Sequence, residues 1–81
     1  MQAERFSALA PGHRVVVSFG QHGTQWALVV GHPRVLPNGH ARIKVRPWNA
    51  AKGAFYRGTR DVWPAKVISR AVGNEGIFMV E

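Results

Sequence analysis

Ala41-Arg42-Ile43-Lys44-Val45-Arg46 is the stretch that decides the fold class. Apolar and cationic residues alternate without a break. In an extended chain Ala41, Ile43 and Val45 fall on one side and Arg42, Lys44 and Arg46 on the other. A helix would scatter both sets around its axis, so the segment reads as an amphipathic β-strand. Just upstream, Leu36-Pro37-Asn38-Gly39-His40 carries a turn signal, because Asn-Gly readily takes the positive φ that hairpins need. Before that, residues 25–32 hold Trp26-Ala27-Leu28-Val29-Val30, a run apolar on both faces as expected of a central strand. Gly31 and Pro33 interrupt it and mark a bulge or bend. Residues 13–19 are β-branched and bounded by Pro11-Gly12 and Gly20, with Val15, Val17 and Phe19 on the core face. Residues 20–24 read as a tight polar connection.

Downstream, Pro47 is expected to end the pairing of the 41–46 strand, since it has no N–H. Residues 49–53 read as a loop, and a fourth strand is expected from about Ala54 to Thr59. Pro64 suits the first position of a short helical turn, which places a 3₁₀ turn at about 64–67. A strand near 67–72, a turn at 73–76 and an edge strand at 77–80 complete the pass. Short strands with turns every eight to twelve residues indicate an all-β sandwich or barrel.

With 81 residues the chain has room for one domain. Residues 1–11 read as an N-terminal tail or a short helix with Phe6 and Leu9 on one side, stopped by Pro11-Gly12, and residues 12–81 as the barrel domain. A domain this small buries only about 60% of its unfolded surface, and without cysteine no disulfide or thiolate-bound metal can brace it. Packing must carry the fold. Phe19, Trp26, Phe55, Trp63 and Phe78 are the large side chains available for a core, together with many valines. No stretch approaches the roughly 20 apolar residues that span a bilayer. Met1 to Arg5 lacks the basic-then-apolar order of a signal peptide, so a cytoplasmic location is expected.

The start Gly12-x-x-Val15-x-Val17, the bend at Val30-Gly31, the Asn38-Gly39 turn and the ending Val62-Trp63-Pro64 together resemble the SH3-like small β-barrels, among them KOW, Tudor-like and chromo-like modules. The resemblance covers Gly12 to Val72 and implies a five-stranded barrel with a short 3₁₀ turn before the last core strand. Ala27-Leu28-Val29-Val30, Asn38-Gly39 and Ile43-Lys44-Val45-Arg46-Pro47 also look like the core of the MazF/PemK toxins, SH3-like endoribonucleases. That family has Arg-Pro before the Ala-Leu-Val run and Thr after the third-strand Pro. Gln25-Trp26 and Trp48 stand there here, and no room remains for the family's C-terminal helix. The resemblance thus implies at most a degenerate ribonuclease barrel.

Eleven Lys and Arg face four Asp and Glu, a net charge of +7, and eight of the eleven are Arg. Such an excess favours polyanions, and Arg suits forked phosphate contacts and stacking on bases. It also fits a simple solubility surface. Arg42, Lys44, Arg46 and Trp48 share parity, so they project from one face of one segment. At about 3.3 Å per residue, alternate cations stand about 6.6 Å apart. That is a spacing of the order of the phosphate repeat of an extended strand. An aromatic at the end of such a row can stack on a base. Lys52, Tyr56, Arg57 and Arg60 widen the expected patch. Against this stands the ordinary use of Lys and Arg to blunt an edge strand.

A methyl-lysine cage needs several aromatics with an acid nearby, and only Asp61 is suitably placed on an otherwise positive surface. His13, His22, His32 and His40 show no spacing that would gather a metal, and no cofactor is implied. Asp61 and Glu75 are isolated acids, and Ser7, Ser18 and Ser69 have no histidine in a recognisable motif. The expectation is therefore a binding module with no catalytic residues. Its partner is nucleic acid or an acidic protein surface, as for an accessory protein docking on a host machine. Ile77-Phe78-Met79-Val80 is apolar on both parities and is expected either to close the barrel or to pair two copies.

Overall fold

A computed structural model describes the backbone of residues 1–72 and 79–80, and side chains through Arg70. The chain is all-β: one antiparallel sheet curled into a half-barrel. A short helix α1 (Ala3–Ser7) leads into β1 (Arg14–Ser18). A 3₁₀ turn (Gly20–His22) joins β1 to β2 (Thr24–Val29). Then follow β3 (Arg34–Val35), β4 (Ala41–Asn49), β5 (Ala54–Phe55), β6 (Arg60–Val62), β7 (Val67–Val72) and β8 (Met79–Val80). The sheet order is β3-β4-β2-β1-β7-β8, and β5 and β6 also pair with β4. No helix among the described residues is long and apolar enough to cross a membrane.

β4 organises the sheet. Val45 pairs with Val29 of β2 and with Arg60 of β6, so β4 lies between them. Its neighbours are longer than the segments they oppose. Between Val29↔Val45 and Arg34↔Arg42, four residues (30–33) face two (43–44). Between Phe55↔Trp48 and Arg60↔Val45, four residues (56–59) face two (46–47). Each excess bends the sheet, which is how short strands curl without a long corner. The first bend lies where Gly31 and Pro33 signal it. The second replaces most of the fourth strand expected over 54–59, of which only β5 remains; β6 begins at Arg60, beyond it.

Alternation fixes the core. Val15 and Val17 of β1, Ala27 and Val29 of β2, Ile43 and Val45 of β4, Val62 and Val67 all face inward and are buried. Phe6 and Leu9 join them. α1 is thus docked rather than a loose tail, and Gly12, at φ 93°, donates its N–H to the Val29 carbonyl at 2.9 Å as the chain turns into β1.

Three expectations are corrected. The aromatic core does not form: Phe19, Trp26 and Phe55 are only half-buried and Trp63 is exposed, while Phe78 lies outside the described residues. Trp26 and Trp63 sit one step out of phase with Ala27 and Val62, so the pleat turns them outward. Pro47 does not end its strand, because pairing continues through Ala27↔Pro47 to Asn49 and its carbonyl accepts the Tyr56 N–H at 2.8 Å. The missing donor costs nothing where only the acceptor is used. Five strands are expected, but bends and bulges divide the described chain into eight shorter ones. At the place read as a 3₁₀ turn, Lys66 N–H donates to Trp63 O and Val67 N–H to Pro64 O, two successive i→i+3 bonds. The turn expected at 73–76, and Ile77, lie outside the described residues. Met79 and Val80 pair with Val72 and Ala71 at the sheet edge.

Candidate functional site

The site is built on the face of β4 that the core leaves free. Ile43, Val45 and Pro47 are buried, and Arg42, Lys44, Arg46 and Trp48 alternate with them on the outer face. Each is held differently. The Arg42 guanidinium lies over the Trp63 ring, 4.9 Å from its centroid, and donates to the Ala41 carbonyl at 2.9 Å. Lys66 Nζ lies 5.6 Å from the same ring. Such cation–π contacts hold a long side chain in place while leaving its charge on the surface. Lys44 is exposed. Arg46 Nε donates to the Tyr56 carbonyl at 2.6 Å, which ties the row to the bend at 56–59. Trp48 meets Phe55 edge-on, with ring centroids 5.0 Å apart and planes at 75°.

Among the described residues one acid enters the row. Asp61 pairs in register with Lys44, but its carboxylate takes Arg34 Nη2 at 2.8 Å. Arg34 is itself opposite Arg42. The pair is exposed on both sides, so it adds little stability. Electrically it leaves the Arg42–Lys44–Arg46 row positive.

The other expected site residues divide. Tyr56 and Arg57 occupy the bend beside Arg46, and both are exposed. Lys52 is exposed in the turn between β4 and β5. Arg60 departs from the row: its register partner is the inward-facing Val45, so it emerges on the other side of the sheet. There it lines a cleft of about 420 Å³ with Phe19, His22, Gln25, Pro47 and Tyr56, of which Gln25 and Tyr56 also border the outer face beside Trp26 and Trp48. A neighbouring cleft of about 380 Å³ shares Phe19 and Arg60 and reaches Trp63 and Lys66.

Arg34, Lys66, Trp26 and Trp63 also belong to this surface, and the sequence reading did not place them there. Alternation against Ala27 and Val62 was the available signal for the two indoles. Size argued the other way, because tryptophan usually seeks the interior.

No family model, curated protein or solved structure matches this chain. The outer face therefore has to be read from its own chemistry. It offers cations at alternate positions of one strand and flat rings beside them. Among the described residues no group of three or more His, Asp or Glu is gathered to hold a metal. Among the described residues one titratable group is clearly perturbed: burial, and then the charge of Arg70, lower the pKa of His13. Its Nδ1 accepts the Ala10 N–H at 3.0 Å, an arrangement that needs the neutral ring.

Proposed function

We propose that this protein is a non-catalytic binding module of the SH3-like kind, and that its outer β4 face holds the phosphate backbone of a nucleic acid. One observation carries the reading: Arg42, Lys44 and Arg46 project in a row from a single strand, ending in Trp48, while Asp61, the one acid beside them among the described residues, is engaged by Arg34. Three like charges at alternate positions of one strand repel each other, so folding alone does not favour the pattern. A polyanion laid along the strand would meet all three cations and release the counterions condensed on it. Arg57, in the bend beside Arg46, and Lys52, in the turn after β4, would lengthen the track. The net charge of +7 raises encounter rates with any such partner.

The test is fluorescence anisotropy of a labelled oligonucleotide across a salt series. Binding in the micromolar range is expected at low salt. If three phosphates are neutralised, log K should fall against log salt with a slope of about −2 to −3. No binding at low salt, or binding indifferent to salt, rejects the reading.

A further inference from the structure

We infer that the same face selects single-stranded over duplex nucleic acid, with an unpaired base seated between Trp26, Trp48 and Tyr56. The inference rests on the backbone-binding reading above and adds to it a site for the base.

The register brings the rings together. β2 and β4 pair through Ala27↔Pro47, both inward and buried. One step further along the same register stand Trp26 and Trp48, turned to the outer face on neighbouring strands. Both line a cleft of about 370 Å³ with Tyr56, Thr24, Gln25 and Asn49. That volume lies within the roughly 300–1,000 Å³ typical of small-ligand sites. Trp48 is braced edge-on by Phe55, so little ring freedom remains to be lost when a ligand stacks on it. Half of Tyr56 is open to solvent, at 50% exposure.

The polar rim suits a base edge. Asn49 Oδ1 accepts the Ala51 N–H at 3.1 Å, which leaves its Nδ2 to donate. Gln25 Nε2 donates to the His22 carbonyl at 3.4 Å, which leaves its Oε1 to accept. One donor amide and one acceptor amide beside a stacking surface can meet a nucleobase, whose edge carries both kinds of group.

The cleft adjoins the cation row. Arg46 is two residues before Trp48 on the same face, and its Nε holds the Tyr56 carbonyl. A strand following Arg42, Lys44 and Arg46 therefore arrives at the rings. In a duplex the ring faces of the bases are covered by their neighbours, so indoles on a sheet can stack only on a base that is unpaired. An acidic protein segment would satisfy the cations; the flat rings beside them match the π-face that every base carries.

The experiment uses the full chain, a 12-nucleotide single strand, the 12-base-pair duplex of the same sequence and a Glu-rich peptide, all at low salt. Anisotropy reports affinity, and a ¹H–¹⁵N spectrum follows the indole N–H signals of the three tryptophans. The single strand should bind at least tenfold more tightly than the duplex. It should move the Trp26 and Trp48 signals further than that of Trp63. Trp48→Ala and, separately, Tyr56→Ala should weaken single-strand binding about 5- to 150-fold, the range that base–aromatic stacking supplies, and leave the salt slope unchanged. The wild-type spectrum supplies the test even if Trp48→Ala folds poorly. Equal affinity for strand and duplex, with still indole signals, overturns the base site and leaves backbone binding standing. Failure of both nucleic acids to bind overturns both. Binding of the peptide with the same indole shifts and equal affinity overturns the base site in favour of an acidic protein partner.

Discussion

The two faces of β4 are made by the same nine residues and do opposite work. Ile43 and Val45 are fully buried, and the neighbouring strands close over them. Arg42, Lys44 and Arg46, interleaved with them, meet solvent, a tryptophan ring and a backbone carbonyl. The inner face is set by exclusion of water, which accepts few residue types. The outer face is free of that demand, and on the proposed function its row of cations serves a ligand. On that proposal residue parity separates stability from binding, and substitutions can break the separation.

The largest effect should come from the inner face. Ile43→Ala removes a fully buried side chain and is expected to cost about 2–5 kcal/mol, a large share of the stability of a domain this small. A urea unfolding curve measures it. Any molecules that remain folded should bind oligonucleotide as the wild type does. The outer face should behave in reverse. Lys44→Ala should leave the urea midpoint within about 0.5 kcal/mol and lower the steepness of the salt dependence by about 1. Arg46→Ala should do the same to the salt dependence, with a somewhat larger stability cost because it also releases the Tyr56 carbonyl.

A smaller effect sharpens the comparison from the other end of the sheet. The His13 pKa is lowered in the folded state, by burial first and by Arg70 second. The unfolded chain therefore takes up the proton more readily, at about pH 6.5. Stability from this group is complete above that pH and is lost as pH falls toward the lower folded value. The urea midpoint should drop between pH 7.5 and 5.5, and the drop should shrink in His13→Gln.

Much of the fold was legible because alternation is a strong signal. β1, β4 and β7 are found where β-branched and alternating residues place them, and the Asn38-Gly39 turn is marked by Gly39 at φ 86°. The bend after β2 was visible in Gly31 and Pro33. The second bend was not: residues 56–59 exceed their partners by two, and that mismatch exists only once the register is known. The phase of β2 was hidden for a different reason. Trp26, Leu28 and Val30 alternate with Ala27 and Val29, so both faces are apolar and the larger residues point outward. Arg60 was grouped with the cation row by composition, but it lies five residues after the outward Phe55 and so alternates to the other side. The row itself, Arg42 to Trp48, needed only parity, and its side chains are found on one face.

Asp61 offers the most direct test of the central claim, because two substitutions at one place in the sheet should move affinity in opposite directions. Anisotropy of a labelled single strand, at one low salt concentration, would compare wild type with Lys44→Glu and with Asp61→Asn. Lys44→Glu puts a negative charge in the middle of the row and should weaken binding by an order of magnitude or more. Asp61→Asn removes the acid opposite Lys44 and releases Arg34, at a stability cost of about 0–1 kcal/mol for an exposed pair, and should tighten binding several-fold. Affinity that ignores both changes, or falls with both, would contradict the assignment of binding to this face.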